Sequence, residues 1–268
     1  MGKKHFFREL KEILIWAGVI VGGGIGGAGG MKLAFDAQES HFANMSQGLP
    51  LLKAGAHIKQ GNHNVVITDQ FFNVLSYNAP QEDQDFAING IKESYFTLNK
   101  YNSKLNFNLC TTVDQVAKRY DIPKIKSIGK QDIPLYATDG ILEGSKYVLA
   151  KTDWSLDNFT YQMKKLSITY RADALYAYNM AYSTKEETFN PKNATIYAIS
   201  LHESMHAMGF AHNNKNRTIM NTYLSLSSPK DLTEYDIEML DKYNVQFYGA
   251  SPTIQSNQAT TNEDEIGL

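Results

Sequence analysis

The sequence predicts a mixed α+β domain that follows an N-terminal membrane-spanning helix. Three observations support this fold class. The segment 13–31 contains no charged residue. Residues 64–248 alternate short β-rich segments with longer amphipathic ones, a pattern typical of a twisted mixed sheet with helices packed against it. The composition, 43% hydrophobic and 12% aromatic, is that of a chain that buries a core.

The N-terminal segment indicates a membrane anchor. As a helix, residues 13–31 would be about 28 Å long, close to the roughly 30 Å of a bilayer's hydrocarbon core. The flank 1–12 carries four basic residues, which predicts a cytoplasmic N-terminus and an extracellular domain. We therefore expect a single-pass protein of the cell membrane, on a bacterial surface. Two alternatives are a cleaved signal peptide with a secreted product and a glycine-rich loop of a cytosolic protein.

Four glycines of this segment recur at four-residue steps: Gly18, Gly22, Gly26 and Gly30. Small residues at this spacing form one ridge of a helix and allow two membrane helices to approach closely. The pattern suggests a homodimer, although so glycine-rich a stretch also produces this spacing by chance.

Charge and cysteine content exclude some classes of protein. The chain has 26 basic and 28 acidic residues, for a net charge of −2, so we expect no nucleic-acid partner. Cys110 is the single cysteine, which excludes an intrachain disulfide and a zinc site built from several cysteines.

The remaining sequence divides into a spacer at 32–63, a domain at 64–248 and a polar, disordered tail at 249–268. The predicted elements of the domain are one or two strands in 64–77, a helix at 82–102, strands at 103–112, 146–151 and 165–172, a helix at 195–210, and a closing helix. The closing helix begins at Thr233, which forms a capping box with Asp236.

The stretch "HESMHAMGFAH", residues 202–212, carries the strongest chemical signal. Positions i and i+4 of a helix lie on one face, so His202 and His206 can bind one ion. Glu203 lies about 100° round the helix, beside the metal rather than on it. Two nitrogen ligands with a nearby carboxylate are what a zinc centre requires.

Gly209 allows a third ligand to reach the same ion. A glycine can adopt the left-handed conformation that ends a helix and turns the chain back. His212 then approaches the same ion from outside the helix. Three protein ligands leave one coordination position open, which is typical of a catalytic zinc site and not of a closed structural one.

The whole pattern, HExxHxxGxxH, resembles the signature of the metzincin zinc metalloproteases. Met220 follows His212 by eight residues, a spacing similar to the Met-turn of the matrixin branch. The resemblance implies a matrixin-like catalytic domain over 64–248, with Met220 as an apolar floor beneath one zinc ion. It also implies a polypeptide substrate that lies along an edge strand formed by Tyr147, Val148, Leu149 and Ala150.

The sequence departs from the matrixin pattern in three respects. It contains no cysteine-switch motif, and between 112 and 190 it lacks the histidines and aspartates that bind structural zinc and calcium in the animal enzymes. Tyr223 lies three residues after Met220 instead of two, so we assign it to the wall of the substrate pocket and to no catalytic role. Asp153, Asp157 and Asn158 are a possible calcium site, with ordinary loop polarity as the alternative.

The resemblance implies a zinc-dependent endopeptidase. Zinc lowers the pKa of its bound water toward about 7, and this water would attack the peptide carbonyl. Glu203 would act first as general base and then as general acid. The alternatives are a catalytically silent, zinc-stabilised binding module and a zinc amidase that acts on cell-wall peptides.

Overall fold

A computed structural model describes most of the domain. The described residues are 40–41, 43–44, 46–144, 148–176, 195–222 and 228–249. The predicted membrane segment 13–31, with its four-step glycines, and the tail from 250 lie outside this part of the chain. Among the described helices, none combines the length and the apolar character needed to cross a membrane.

The domain is built on a five-stranded mixed sheet. Its strands are β1 (Gly61–Ile67), β2 (Leu105–Thr111), β3 (Ile133–Thr138), β4 (Ala150–Leu156) and β5 (Met163–Arg171). They lie in the order β2-β1-β3-β5-β4. Neighbouring strands are parallel except for β4, which pairs antiparallel with β5 and forms one edge of the sheet. The predicted mixed α+β fold is therefore confirmed.

Helices cover this sheet. Those with described bounds are α1 (Asp69–Asn78), α2 (Gln81–Lys100), α3 (Asp114–Tyr120), α4 (Ala172–Tyr176), α5 (Thr195–Met208) and α6 (Glu234–Tyr248). Helix α5 packs against α2 and against strands β4 and β5. Side chains from the sheet, α1, α2, α5 and α6 form one continuous hydrophobic core. This packing fixes α5 beside the antiparallel edge of the sheet.

Most of the predicted elements are present. The predicted helices at 82–102 and 195–210 correspond to α2 and α5, and the strands at 103–112 and 165–172 correspond to β2 and β5. Thr233 and Asp236 form the predicted capping box of α6, each side chain bonding the other residue's backbone N–H. The strand predicted at 146–151 begins later, at Ala150.

The prediction of strands throughout 64–77 is wrong after Ile67. Strand β1 ends there, and α1 begins with Thr68 as its N-cap. The Thr68 hydroxyl accepts the backbone N–H of Phe71 at 3.1 Å and donates to the carbonyl oxygen of Leu135 at 2.7 Å. An N-cap satisfies a backbone donor that the first turn of a helix leaves unpaired. This local stabilisation, together with burial of Phe71 and Leu75 on one helix face, outweighs the β-rich alternation.

Two elements lie between 112 and 146, where the sequence predicted neither a helix nor a strand. Helix α3 and strand β3 both fall between 113 and 138. Pro134 lies within β3, where it is the partner of Val66 in β1. A proline in a strand interior argues against a strand because it lacks an N–H donor. For this reason the sequence does not predict β3.

The predicted spacer 32–63 is too long. Leu49, Ala56 and Ile58 are buried, and β1 begins at Gly61. Residues 46–63 therefore belong to the packed domain. Scattered apolar residues without a helical or strand period gave no signal of this packing, because each is buried by contacts with distant parts of the chain.

Two histidines of this region, His57 and His63, are also buried. His57 stacks on Phe247 with ring centroids 4.7 Å apart, and its Nδ1 lies 2.7 Å from the carbonyl oxygen of Gly55. The Nε2 atom of His63 lies 2.6 Å from the carbonyl oxygen of Lys59. Both are packed core histidines.

Candidate metal centre

Helix α5 is a rigid platform for the candidate ligands. The helix is buried on almost every side, and its own residues Leu201, Met205 and Met208 lie in the core. His202 is only 8% exposed and Glu203 only 5%. A helix held this firmly keeps the i and i+4 side chains in a fixed relation.

The three predicted histidine ligands meet at one point. The Nε2 atom of His212 lies 3.1 Å from the Nε2 atom of His202 and 3.1 Å from that of His206. All three ligand atoms lie within 4.8 Å of one another. Nitrogens that bind one zinc ion at 2.0–2.1 Å in tetrahedral geometry are about 3.3 Å apart. The spacing therefore suits a single ion.

Backbone carbonyls orient the two helical imidazoles. The Nδ1 atom of His202 lies 2.8 Å from the carbonyl oxygen of Ile219, and that of His206 lies 2.7 Å from the carbonyl oxygen of Phe210. A carbonyl oxygen can only accept, so each Nδ1 carries the hydrogen. The Nε2 atoms of His202 and His206 consequently present lone pairs toward His212.

This arrangement leaves a gap in the hydrogen bonding that a cation would fill. A neutral His212 has at most one N–H at Nε2 and can donate it to only one of the two facing lone pairs. The other facing lone pair would then lie 3.1 Å from the same nitrogen with no hydrogen between them, which is a repulsive contact. A metal ion between the rings removes this repulsion, and an all-imidazole donor set suits zinc and other borderline divalent ions.

The protonation of the histidines also favours metal binding. Burial lowers the pKa of His202 to about 4 and that of His206 to about 3. Partial burial of the ring lowers the pKa of His212, the most exposed of the three, as well. A metal binds the neutral imidazole, so these rings need not lose a proton to bind it at neutral pH.

Gly209 directly follows the last residue of α5. Its φ of +108° lies in the region that favours glycine. The backbone N–H groups of Gly209 and Phe210 donate to the carbonyls of His206 and Met205, at 2.9 and 3.0 Å. The chain then reverses and carries His212 back to the other two rings.

An N-terminal segment, residues 49–52, braces this turn. Leu51 forms an antiparallel bridge with Phe210. The Leu52 N–H donates to the Gly209 carbonyl at 2.8 Å, and the Ala211 N–H donates to the Pro50 carbonyl at 2.7 Å. The backbone that leads to His212 is therefore held by residues from the start of the domain.

A second turn, residues 218–220, holds the ring of His202 through a backbone carbonyl. The Ile219 N–H donates to Oδ2 of Asp236 at 3.0 Å, while the Ile219 carbonyl accepts from His202. The Thr218 hydroxyl donates to Oδ1 of Asp236. Asp236 thus links the first turn of α6 to the ring of the candidate ligand His202. Met220 is buried, 2% exposed, at the end of this turn, and its role as a floor beneath the ion stays a prediction.

Glu203 is held by the edge strand of the sheet. The Thr152 hydroxyl of β4 lies 2.6 Å from Oε2 of Glu203 and 3.0 Å from its backbone carbonyl oxygen. Burial raises the pKa of Glu203 to about 7; the hydrogen bond from Thr152 opposes the rise and the charge of Glu143 adds to it.

The residues predicted to contact substrate are only partly described. Tyr147 and Tyr223 lie outside the described residues. Val148 and Leu149 precede β4, and the Leu149 carbonyl accepts the Arg171 N–H at 2.9 Å, which extends the antiparallel pairing by one residue. Ala150 begins the edge strand itself. Their contact with a substrate remains a prediction.

The aspartates suggested as calcium ligands have other partners. Asp157 accepts the backbone N–H groups of Phe159 and Thr160, at 3.0 and 2.8 Å, and it pairs with Lys164. Asp153 pairs with Lys151 at 2.8 Å. These contacts are typical of ordinary loop and surface polarity.

Sequence reasoning missed the residues that support the site. Thr152 carries no motif that links it to Glu203, and the carbonyl of Ile219 has no side-chain signature at all. Asp236 was recognised only as a helix cap. Its capping box was a usable signal of order at that position, but the contact with Ile219 depends on tertiary packing.

Comparison with known proteins adds little. No protein-family model matches the sequence, and no curated protein matches it. Among solved structures, metalloproteinase-II from Bacteroides fragilis is similar at 11% sequence identity and a TM-score of 0.36. The alignment covers 75% of this chain and 60% of that one, so the chain spans about three fifths of that protein's length. A likeness at this TM-score supports no conclusion about fold or activity.

Proposed function

We propose that the protein is a zinc-dependent endopeptidase of the matrixin-like metzincin type. One observation carries the proposal: the Nε2 atoms of His202, His206 and His212 converge on one point, on the helix that also bears the buried carboxylate of Glu203. The three imidazoles would hold one zinc ion. When bound, zinc acts as a Lewis acid that polarises a peptide carbonyl and provides a nucleophile at neutral pH.

The chain's own residues supply the rest of the reaction. Glu203 accepts the proton of the attacking water and passes it to the leaving amine, as general base and then general acid. Among the described strands, β4 pairs with β5 alone, so its outer edge would offer N–H and C=O groups to an extended polypeptide. Helix α5 and β4 are in contact, which brings the carboxylate close to the proposed substrate edge.

We further propose that residues 13–31 anchor the protein in the cell membrane with the domain outside. The charge-free run and the basic flank 1–12 support this placement. Protease protection in spheroplasts, with an epitope at each end of the chain, would test it. Cleavage of the C-terminal epitope only is expected, and protection of both ends would contradict the proposal.

The activity is tested with the purified full chain in detergent. Metal analysis should find one zinc ion per chain. The protein should hydrolyse casein and members of a peptide library; a chelator should abolish this activity, and added zinc should restore it. Glu203→Ala should retain zinc while kcat falls by about 10²–10⁴-fold. Glu238→Ala, which changes an exposed glutamate of α6 that pairs with Lys242, is the matched control and should leave kcat within about twofold.

Three results would decide against the proposal. Full activity of Glu203→Ala would contradict the assigned base. Zinc binding without cleavage of any peptide would indicate the silent binding module. Cleavage of peptidoglycan crosslinks with no cleavage of proteins would indicate the cell-wall amidase.

A further inference from the structure

Thr152 is the one described side chain that hydrogen-bonds the carboxylate of Glu203. Its Oγ1 lies 2.6 Å from Oε2, a short distance typical of a hydroxyl that donates to a charged acceptor. It also lies 3.0 Å from the Glu203 backbone carbonyl. A single hydroxyl on β4 therefore contacts both ends of the same residue on α5.

This contact distinguishes the two oxygens of the carboxylate. Oε2 is engaged by the hydroxyl, whereas Oε1 has no hydrogen-bond partner among the residues that the structure describes. A glutamate side chain has three rotatable bonds, so fixing its carboxylate in one place costs conformational entropy. Anchoring one oxygen restricts those rotations and leaves the other oxygen available for proton exchange.

The position of Thr152 in the sheet makes the anchor rigid. It lies opposite Ile168 of β5, and Ile168 is fully buried. A β-branched residue in a strand has a restricted χ1 angle, so the hydroxyl is held in one direction. Because β4 is also the proposed substrate edge, the same strand would fix both the peptide and the base that acts on it.

We propose that Thr152 is a positioning residue that holds Glu203 with Oε1 free to exchange the proton. The catalytic consequence depends on the endopeptidase activity proposed above. The contact itself does not, because it is made within the chain. Two separate measurements can therefore test the contact and its consequence.

The first measurement is catalytic. Thr152→Val removes the hydroxyl at nearly constant shape, Thr152→Ser keeps it, and Thr169→Val is the control. Thr169 is a half-buried threonine of β5 whose hydroxyl makes no hydrogen bond to Glu203. In the zinc-loaded protein we expect Thr152→Val to lower kcat by about 10–100-fold, because misplacement of a catalytic group is costly. KM should change by less than about twofold, and Thr152→Ser and Thr169→Val should retain kcat within about threefold.

The second measurement needs neither zinc nor activity. Unfolding midpoints of the metal-free chain are compared for Thr152→Val in the wild-type and Glu203→Ala backgrounds. The loss of one hydrogen bond should lower the midpoint by about 2–4 °C more in the wild-type background than in the Glu203→Ala background. Thr152→Ala provides a second hydroxyl-free variant if Thr152→Val fails to fold.

The outcomes separate the two proposals. Equal kcat for Thr152→Val and wild type, in a protein that cleaves peptides, would overturn the positioning role. Equal midpoint shifts in the two backgrounds would overturn the contact. A wild-type chain without peptidase activity would contradict the endopeptidase proposal, and the midpoint comparison would still decide whether Thr152 holds Glu203.

Discussion

Gly209 and the backbone of Ala56 lie so close together that no side chain fits between them. A Cβ atom on Gly209 would be 2.6 Å from the carbonyl oxygen of Ala56. The glycine is therefore required twice, for its φ of +108° and for this close approach. The turn that leads to His212 thus depends on a residue near the start of the domain.

Gly209→Ala should consequently cost more than backbone strain alone. We expect the free energy of unfolding to fall by about 2–4 kcal/mol, from strain and from the displaced Ala56 backbone, with weaker zinc binding. Gly249→Ala is the matched control, since Gly249 has a φ of +60° and no atom within 4 Å of an added Cβ. Urea unfolding and zinc titration of both variants measure the difference. Equal losses would show that the Ala56 contact is unimportant.

Asp236→Ala should disturb the metal centre from a distance. The Asp236 carboxylate accepts the Ile219 N–H and the hydroxyls of Thr218 and Thr233. Loss of these bonds should lower the free energy of unfolding by about 2–4 kcal/mol. Because the Ile219 carbonyl orients His202, zinc affinity should fall by about 10–100-fold. Competition with a chromophoric chelator measures this, and unchanged affinity in a folded variant would refute the link.

Zinc should stabilise the fold through His212. Saturation at about 100 times Kd adds about 2.7 kcal/mol to the free energy of unfolding, which corresponds to a Tm increase of about 5–10 °C. His212 is exposed, so His212→Ala should change the Tm of the metal-free chain by no more than about 2 °C. The variant should nevertheless lose most of the zinc-dependent increase. Differential scanning calorimetry with zinc and with a chelator provides the measurement, and an undiminished increase would exclude His212 as a ligand.

His57 should make the fold less stable in acid. Burial lowers the pKa of His57 below 6.5 in the folded state, while its hydrogen bond to the Gly55 carbonyl acts in the opposite direction. The stability contributed by neutral His57 is present above pH 6.5 and is lost as the pH falls from 6.5 toward the folded pKa, because only the unfolded chain takes up the proton. One such group changes the free energy of unfolding by at most about 1.4 kcal/mol per pH unit.

His57→Phe tests this pH dependence because it keeps an aromatic ring against Phe247 and removes the titrating group. Urea unfolding of the metal-free chain at pH 8, 7, 6 and 5 should show the wild type losing stability faster than the variant below pH 6.5. A constant difference across the series would contradict the assignment.

The parts of the site that the sequence predicted are those set by local spacing. His202 and His206 follow from a helical repeat, and Gly209 follows from the conformation that glycine alone adopts readily. The supporting contacts differ because they join residues that are far apart in the sequence. Thr152 meets Glu203 across 51 positions of the chain, and no local pattern encodes such a pair.

The fold shows the same difference between elements that local sequence patterns predict and elements that depend on distant contacts. The amphipathic helix α2 and the capping box of α6 carry local periodic or capping signals. Strand β3 has no such signal, because Pro134 lies within it. The packing of residues 46–63 depends on partners elsewhere in the chain. The boundary of the domain was misplaced for this reason.

The bracing of the Gly209 turn by residues 49–52 has a practical consequence for preparing the protein. A recombinant fragment that begins at residue 64 would lose the first three residues of the interior strand β1, the buried Ile58 and the two backbone hydrogen bonds that hold the Gly209 turn. The cooperative folding unit therefore reaches upstream at least to Leu49. Residues 49–63 are thus an integral part of the structure that supports the candidate metal site.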